Sequence, residues 1–216
     1  ISDLITAGSP FVAVRFPDHP LTQQLLKQLD FPLAAPSANK YTTISPTTAQ
    51  HVLKQFNGEI PYILDGGMCR KGIESTVIGF DGDDVIIFRK GLITEEMIRA
   101  EGFNVLYAEK KSGPVHSPGM SAVHYAPKTK LIICKDLLHE SKQYDPEKTV
   151  VIAYEHPVEG IRADRQYILS EKGDPEEAAG KIYAALHVMD EMNAEVILTE
   201  LLPEFGAGAA VNDRLR

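Results

Sequence analysis

The sequence lacks several features that would assign it directly to a familiar class of protein. Its 216 residues include only two cysteines, Cys69 and Cys134, and these do not form a CxxC pair. This excludes a disulfide framework and a cysteine-rich metal site, and it is typical of the reducing cytoplasm. The seven histidines show neither HExxH nor another paired ligand spacing, so we predict no protein-held metal.

Long apolar runs and excess positive charge are also missing. No run approaches the ~20 residues that span a bilayer, and no signal peptide is recognisable, so we predict no membrane partner. The formal net charge is −8, which argues against stable binding to DNA. The chain begins with Ile1 rather than Met, and we expect it to be part of a longer protein.

The sequence does contain enough apolar residues, 44%, to build a substantial core. Apolar periodicity and capping residues predict a series of helices and strands. Predicted helices cover residues 18–30, 45–56, 94–102, 136–142, 174–192 and 212–216, the second of them capped by Ser45. Predicted strands cover 10–16, 60–67, 103–107, 130–134, 149–155, 166–170 and 195–200, with a hairpin over 75–91.

Residues 109–129 contain three prolines and two glycines and show no periodicity, which is typical of a linker or a functional loop. After this segment, strands and helices alternate, as they do in parallel α/β domains. We therefore predict an α/β protein in which a domain over 1–108 is joined by the 109–129 linker to a domain over 130–216. The Gly206-Ala-Gly208 stretch lacks the third glycine of a dinucleotide fingerprint, and we expect a tight turn there.

The stretch APSANKYTTISPTTAQHVL, which begins at Ala35, contains six Ser or Thr residues between Ser37 and Thr48. Hydroxyls beside a helix N-terminus can bind a phosphate or carboxylate, with Arg15 or Arg89 supplying charge from the end of a predicted strand. The same residues also cap helices and satisfy loop backbone in many proteins, so local features leave both interpretations open. The GxxxxGK[ST] pattern of a P-loop is absent.

A second stretch, DGGMCRKGIESTVIGF at 65–80, repeats the theme of hydroxyls at a strand end. Its glycines would let the backbone approach a ligand closely, although a glycine-rich hairpin connection is an equally simple explanation.

Four segments in order carry a resemblance to a known family, namely SANKYTTISPTTAQHVL, LDGGMCRKGIESTVI, FRKGLIT and SPGMSAVHYAPK. Together with the ending GAGAAVNDRLR, they resemble the long form of the threonylcarbamoyl-AMP synthase family. The resemblance implies part of a YrdC-type twisted mixed sheet with helices, followed by a small Rossmann-like parallel α/β domain. The family's N-terminal portion has no counterpart in this chain.

The resemblance also implies an activity. Family members convert L-threonine, bicarbonate and ATP, with magnesium, into threonylcarbamoyl-adenylate and pyrophosphate, which supplies the tRNA modification machinery acting at position 37. Such a reaction depends on positioning and charge neutralisation more than on a protein nucleophile, so no catalytic residue is assigned.

Matched to the family's motifs, three residues are expected to bind threonine and five to bind ATP. The threonine group is Arg15, Ala35 through its backbone, and Ser75; the ATP group is Ser37, Asn39, Ser45, Arg89 and Tyr125. Lys90 stands where the family commonly has proline.

Two other functions compete with this one. YrdC-type surfaces are similar to RNA binders, so the chain would serve as an RNA or tRNA-binding module without catalysis. Alternatively, a chain with half of its site absent would be inert.

Overall fold

The computed structural model describes residues 2–6, 8–108 and 126–216. They form two compact units, 1–36 and 37–216, each of which is described by itself. Secondary structure agrees with the predicted α/β class, with a mixed sheet followed by a parallel sheet.

The first unit contains two short helices, α1 (Asp3–Thr6) and α2 (Pro20–Leu26). Helix α2 begins after His19, whose Nδ1 accepts a hydrogen bond from the Leu21 N–H at 3.3 Å. The predicted strand at 10–16 does not form, because a strand needs a hydrogen-bonded partner and the described residues supply none. Its apolar side chains are exposed, Phe16 at 95%.

The second unit begins with a mixed three-stranded sheet and two helices. These elements are α3 (Ala49–Phe56), β1 (Val77–Asp81), β2 (Asp84–Arg89), α4 (Glu95–Ala100) and β3 (Asn104–Tyr107). Strands β1 and β2 form the predicted hairpin, and β3 lies parallel to β2 after the α4 crossover. Val85, Ile87, Ile98 and Val105 form a small core between α4 and the sheet.

Two predictions for this region are wrong. Residues 60–67 form no strand; Ile60, Tyr62 and Leu64 stay exposed and Ile63 is half-buried. Helix α3 begins after Thr48, whose hydroxyl accepts from the His51 N–H, and not after Ser45. The Ser45 hydroxyl donates to the Glu74 carboxylate instead and does not cap the helix.

A four-stranded parallel sheet with order β4-β7-β5-β6 makes up the rest of the second unit. Its elements are β4 (Lys130–Cys134), α5 (Leu137–Ser141), β5 (Thr149–Ala153), β6 (Gln166–Ile168), α6 (Pro175–Asp190), β7 (Val196–Glu200) and α7 (Gly206–Leu215). Every residue of the central strand β5 is buried, which matches its continuous run of apolar and small residues.

Helices α6 and α7 pack against one another and contribute most of the main core. Helix α6 has the predicted N-cap, Asp174, whose carboxylate accepts a hydrogen bond from the Glu176 N–H. Helix α7 begins at Gly206, six residues earlier than predicted, so the glycine pair lies in its first turn rather than in a loop. A Cβ on Gly208 would lie 2.2 Å from the Pro203 carbonyl oxygen, so close packing requires glycine at this position. No helix in the described ranges is long and apolar enough to cross a bilayer.

Candidate active site

Glu74 is the centre of the site that the second unit assembles. Its Oε1 accepts a hydrogen bond from Ser45 Oγ at 2.6 Å. Its Oε2 accepts one from the Tyr183 hydroxyl at 3.0 Å and one from Arg214 Nε at 2.9 Å. The carboxylate therefore joins the hydroxyl-rich loop, helix α6 and helix α7 to the EST motif at 74–76.

Both members of the Glu74–Arg214 ion pair are largely removed from solvent. The exposed fraction of the side chain is 18% for Glu74 and 2% for Arg214. Burial by itself raises the pKa of Glu74, but the charge of Arg214 and hydrogen bonds from Ser45 and Arg214 outweigh it and lower the pKa. Burial likewise opposes the charge on Arg214, yet Glu74 raises its pKa overall. The pair is therefore ionised at neutral pH.

The EST motif is also tied to the segment that contains FRKG. Arg89 donates from Nε and Nη2 to the Ser75 carbonyl at 3.2 and 3.1 Å. Thr76 Oγ1 donates to the Ile93 carbonyl at 2.6 Å. A Cβ on Gly91 would lie 2.2 Å from the Thr76 nitrogen, so only glycine allows this close approach. The two segments thus form one packed layer.

The hydroxyl-rich loop is held by its own polar groups. Asn39 Nδ2 donates to the Thr43 carbonyl at 3.0 Å, while its Oδ1 is buried and has no hydrogen-bond partner among the described residues. Thr42 has a φ of 68°, which is an unusual and strained conformation for a β-branched residue. Ala126, which belongs to the predicted linker, pairs with this loop by donating its N–H to the Thr42 carbonyl.

Helix α3 and helix α6 meet through a pair of histidines. The rings of His51 and His187 stack with their centroids 3.8 Å apart, and His187 Nε2 lies 3.1 Å from the Ser45 carbonyl oxygen. Burial lowers the pKa of both imidazoles. Lys54 and Glu191 form an exposed ion pair at 2.6 Å beside them.

Three of the predicted site residues come together around Glu74. Ser45 and Arg89 contact Glu74 and Ser75 respectively, so Ser45, Ser75 and Arg89 lie in one region. Asn39 belongs to the same loop as Ser45, and Ser37 precedes it as an exposed residue. Arg15 and Ala35 are exposed residues of the first unit, and Tyr125 lies outside the described residues.

The sequence predictions missed Glu74, Tyr183 and Arg214 as members of the site. Tyr183 and Arg214 are 109 and 140 residues away from Glu74 along the chain, and no local pattern links them. The only available signal was the presence of Glu74 and Arg214 within the two family motifs EST and DRLR.

Around Glu74, hydroxyls and a guanidinium neutralise a carboxylate of the chain itself, with the same kinds of donor that oxyanion and phosphate sites use. Within the described residues, no group of three His, Cys, Asp or Glu side chains is arranged to hold a metal ion.

Comparison with family models and relatives accounts for the whole chain. The Sua5/YciO/YrdC family model, described as "Telomere recombination", matches residues 1–91. The model of the threonylcarbamoyl-AMP synthase C-terminal domain matches residues 93–216.

Curated relatives carry the same name. The chain is 35% identical to threonylcarbamoyl-AMP synthase of Bacillus subtilis, over 100% of this chain and 65% of the relative. It is also 35% identical to that of Pyrococcus abyssi, over 99% of this chain and 65% of the relative. The match to the Schizosaccharomyces pombe protein is 32% identical and covers 59% of that relative. The chain thus spans less than two thirds of the length of these relatives.

A solved structure is similar over the entire chain. The crystal structure of P. abyssi Sua5 complexed with L-threonine matches with a TM-score of 0.85 and 34% identity, covering 100% of this chain and 66% of that one. Fold, motif order and the two family models agree, and the chain therefore belongs to the threonylcarbamoyl-AMP synthase family.

Proposed function

We propose that this chain is part of an L-threonylcarbamoyladenylate synthase, a nucleotidyltransferase of the cytoplasm. The observation that carries the proposal is the match, over the entire chain, to P. abyssi Sua5 complexed with L-threonine. At 34% identity and a TM-score of 0.85, the fold positions equivalent segments in the two proteins.

The proposed reaction has two steps. The amine of L-threonine attacks bicarbonate, which forms a carbamate and releases water. A carbamate oxygen then attacks the α-phosphorus of ATP, the bond from that phosphorus to the β-phosphate bridging oxygen breaks, and pyrophosphate leaves with the electron pair. The product supplies the machinery that modifies tRNA position 37.

Contacts within the second unit support roles for Arg89, Ser75 and Asn39. Arg89 is proposed to neutralise nucleotide phosphate charge, and Ser75, whose carbonyl Arg89 binds, to contact threonine. Asn39 is proposed to contact ATP, since its Oδ1 is buried and finds no partner in the part of the chain that the structure describes. The match to the family's motifs supports further proposed contacts. ATP would be contacted by Ser37, Ser45 and Tyr125, and threonine by Arg15 and the Ala35 backbone.

Magnesium is proposed to enter with ATP, because phosphate oxygens are ligands that this ion prefers. Within the described residues no carboxylate group is arranged to hold it alone, so we assign no protein ligand. The polypeptide would supply orientation and charge neutralisation, which are the main requirements of transfer at phosphorus.

The test measures pyrophosphate release by the complete gene product. We expect release to require L-threonine, bicarbonate and ATP together, and Arg89→Ala to lower kcat/KM about a hundredfold, as loss of a charge-stabilising donor does. Arg162→Ala removes an exposed arginine paired with Asp164 and serves as the matched control with unchanged turnover.

Two results would contradict the proposal. One is release of pyrophosphate that is indifferent to threonine, or equal in Arg89→Ala and the parent protein. The other is steeply salt-dependent binding of tRNA without any nucleotide turnover, which would favour an RNA-binding module instead.

A further inference from the structure

We propose that Arg214, on the last helix of the C-terminal domain, is a positioning residue that holds the two substrate-binding segments in register. The inference rests on the proposed function, because that function makes the EST and FRKG segments the walls of the substrate site. It assigns to Arg214 a role in substrate binding that is additional to its place in the fold.

The guanidinium of Arg214 binds two segments at once. Arg214 Nε donates to Glu74 Oε2 at 2.9 Å, and Nη2 donates to the Lys90 carbonyl at 2.8 Å. Glu74 directly precedes Ser75, and Lys90 directly follows Arg89. A single planar group therefore binds residues next to the proposed threonine contact and next to the proposed nucleotide contact.

These contacts fix direction as well as distance. A guanidinium presents its donors in a rigid fork, so two bonds from one side chain set the angle between the segments they join. The orientation of Arg214 is itself fixed, since its side chain is 2% exposed and Nη1 donates to the Asp213 carboxylate at 3.2 Å. A shift of helix α7 would therefore move both walls of the site.

An ion pair, rather than a pair of apolar side chains, occupies this buried position. A buried ion pair is costly to desolvate, and apolar residues of similar volume often stabilise a fold as well or better. A hydrophobic contact at this position would be sufficient to pack helix α7. The ion pair instead provides a directional contact between the C-terminal domain and the EST motif, which is what substrate positioning requires.

The experiment uses the complete gene product and measures L-threonine affinity by calorimetry together with kcat and KM for threonine and ATP. Three variants are compared well below their thermal unfolding midpoints, namely Arg214→Met, Arg214→Lys and the control Arg216→Met. Arg216 is two residues further along, is 54% exposed, and pairs only with Glu204 among the described contacts.

We expect Arg214→Met to remain folded and to weaken threonine binding about ten- to a hundredfold, since displacement by about 1 Å can cost this much. Arg214→Lys should recover part of the affinity, because an ammonium can bind Glu74 but lacks the fork needed to bind the Lys90 carbonyl as well. Arg216→Met should match the parent protein in both affinity and turnover. Partial rescue by lysine and a raised KM are not expected from a purely structural residue.

Parent-like threonine affinity and KM in a folded Arg214→Met would overturn the inference while leaving the proposed function intact. If Arg214→Met does not fold, the same measurements are made on Glu74→Gln, which removes the charge and keeps the size of the side chain. Parent-like threonine affinity and KM in that variant would likewise overturn the inference. If the parent protein neither binds threonine nor releases pyrophosphate, the proposed function fails and this inference fails with it.

Discussion

The buried ion pair permits a quantitative prediction about folding. We expect Arg214→Met to reduce the free energy of unfolding by about 3–5 kcal/mol, the range found when one partner of a buried pair is removed. The carboxylate of Glu74 is then left 18% exposed without its cation, although Ser45 and Tyr183 still donate to it. Those two remaining bonds place the expected loss toward the lower end of the range.

Glu74→Met should cost a similar amount by leaving the 2% exposed guanidinium without its main counter-ion. The double variant should cost less than the sum of the two single variants, by about 1–3 kcal/mol, because neither charge is then left alone. Urea unfolding followed by circular dichroism gives all four corners of this cycle. Arg216→Met, which removes an exposed pair with Glu204, serves as the control.

The pH dependence of the pair provides a second measurement. The folded pKa of Glu74 lies below its ordinary value of 4.5, so the stabilisation is present above pH 4.5 and is lost as the pH falls through the folded pKa.

The account of a buried and coupled pair would be refuted by either of two results from urea unfolding. One is that the effects of the two single variants simply add in the double variant, and the other is a loss below about 1 kcal/mol in Arg214→Met.

Three further predictions concern helices α3 and α6 and the loop that precedes α3. Because burial lowers the pKa of His51 and His187, the unfolded chain binds more protons below about pH 6.5, and stability should fall as the pH drops below that value. His187→Gln should flatten this part of the urea-midpoint profile, and a profile as steep as the parent's would contradict the assignment. Thr48→Ala should lower the unfolding free energy by about 1 kcal/mol through loss of the α3 cap. In Ser45→Ala the loss of stability at low pH that is attributed to Glu74 should become smaller, because the Ser45 hydroxyl helps to lower the pKa of Glu74. Thr48→Ala should leave this low-pH loss unchanged.

The parallel sheet of the second unit was predictable because its signals are local. Strands β4, β5 and β7 are short apolar runs, and helix α6 begins at an Asp-Pro cap that the sequence displays. Burial of β5 on both faces then follows from its lack of polar alternation. Such elements need no knowledge of distant residues to be recognised.

The errors arose where structure depends on distant partners. Segments 10–16 and 60–67 have the apolar content of strands, but a strand forms only with a paired neighbour, and a single segment does not specify one. Ser45 and Thr48 are both good N-caps by type, and the choice depends on Glu74, which claims the Ser45 hydroxyl from 29 residues away. Local propensity could not rank the two.

Recognition of the family located the motifs but not their coupling. The two family models divide the sequence after residue 91, yet Ile44 and Ile73 belong to the same core cluster as Ile182 of helix α6 and Val211 of helix α7. A Cβ on Gly72 would lie 2.3 Å from the Gly180 carbonyl oxygen, so α6 packs directly on the segment leading to the EST motif. Because close-packed cores transmit displacement, the position of α6 and α7 determines the position of Glu74 and Ser75. The boundary between the two models is therefore a boundary in sequence alone, and the geometry proposed for substrate binding depends on residues from both sides of it.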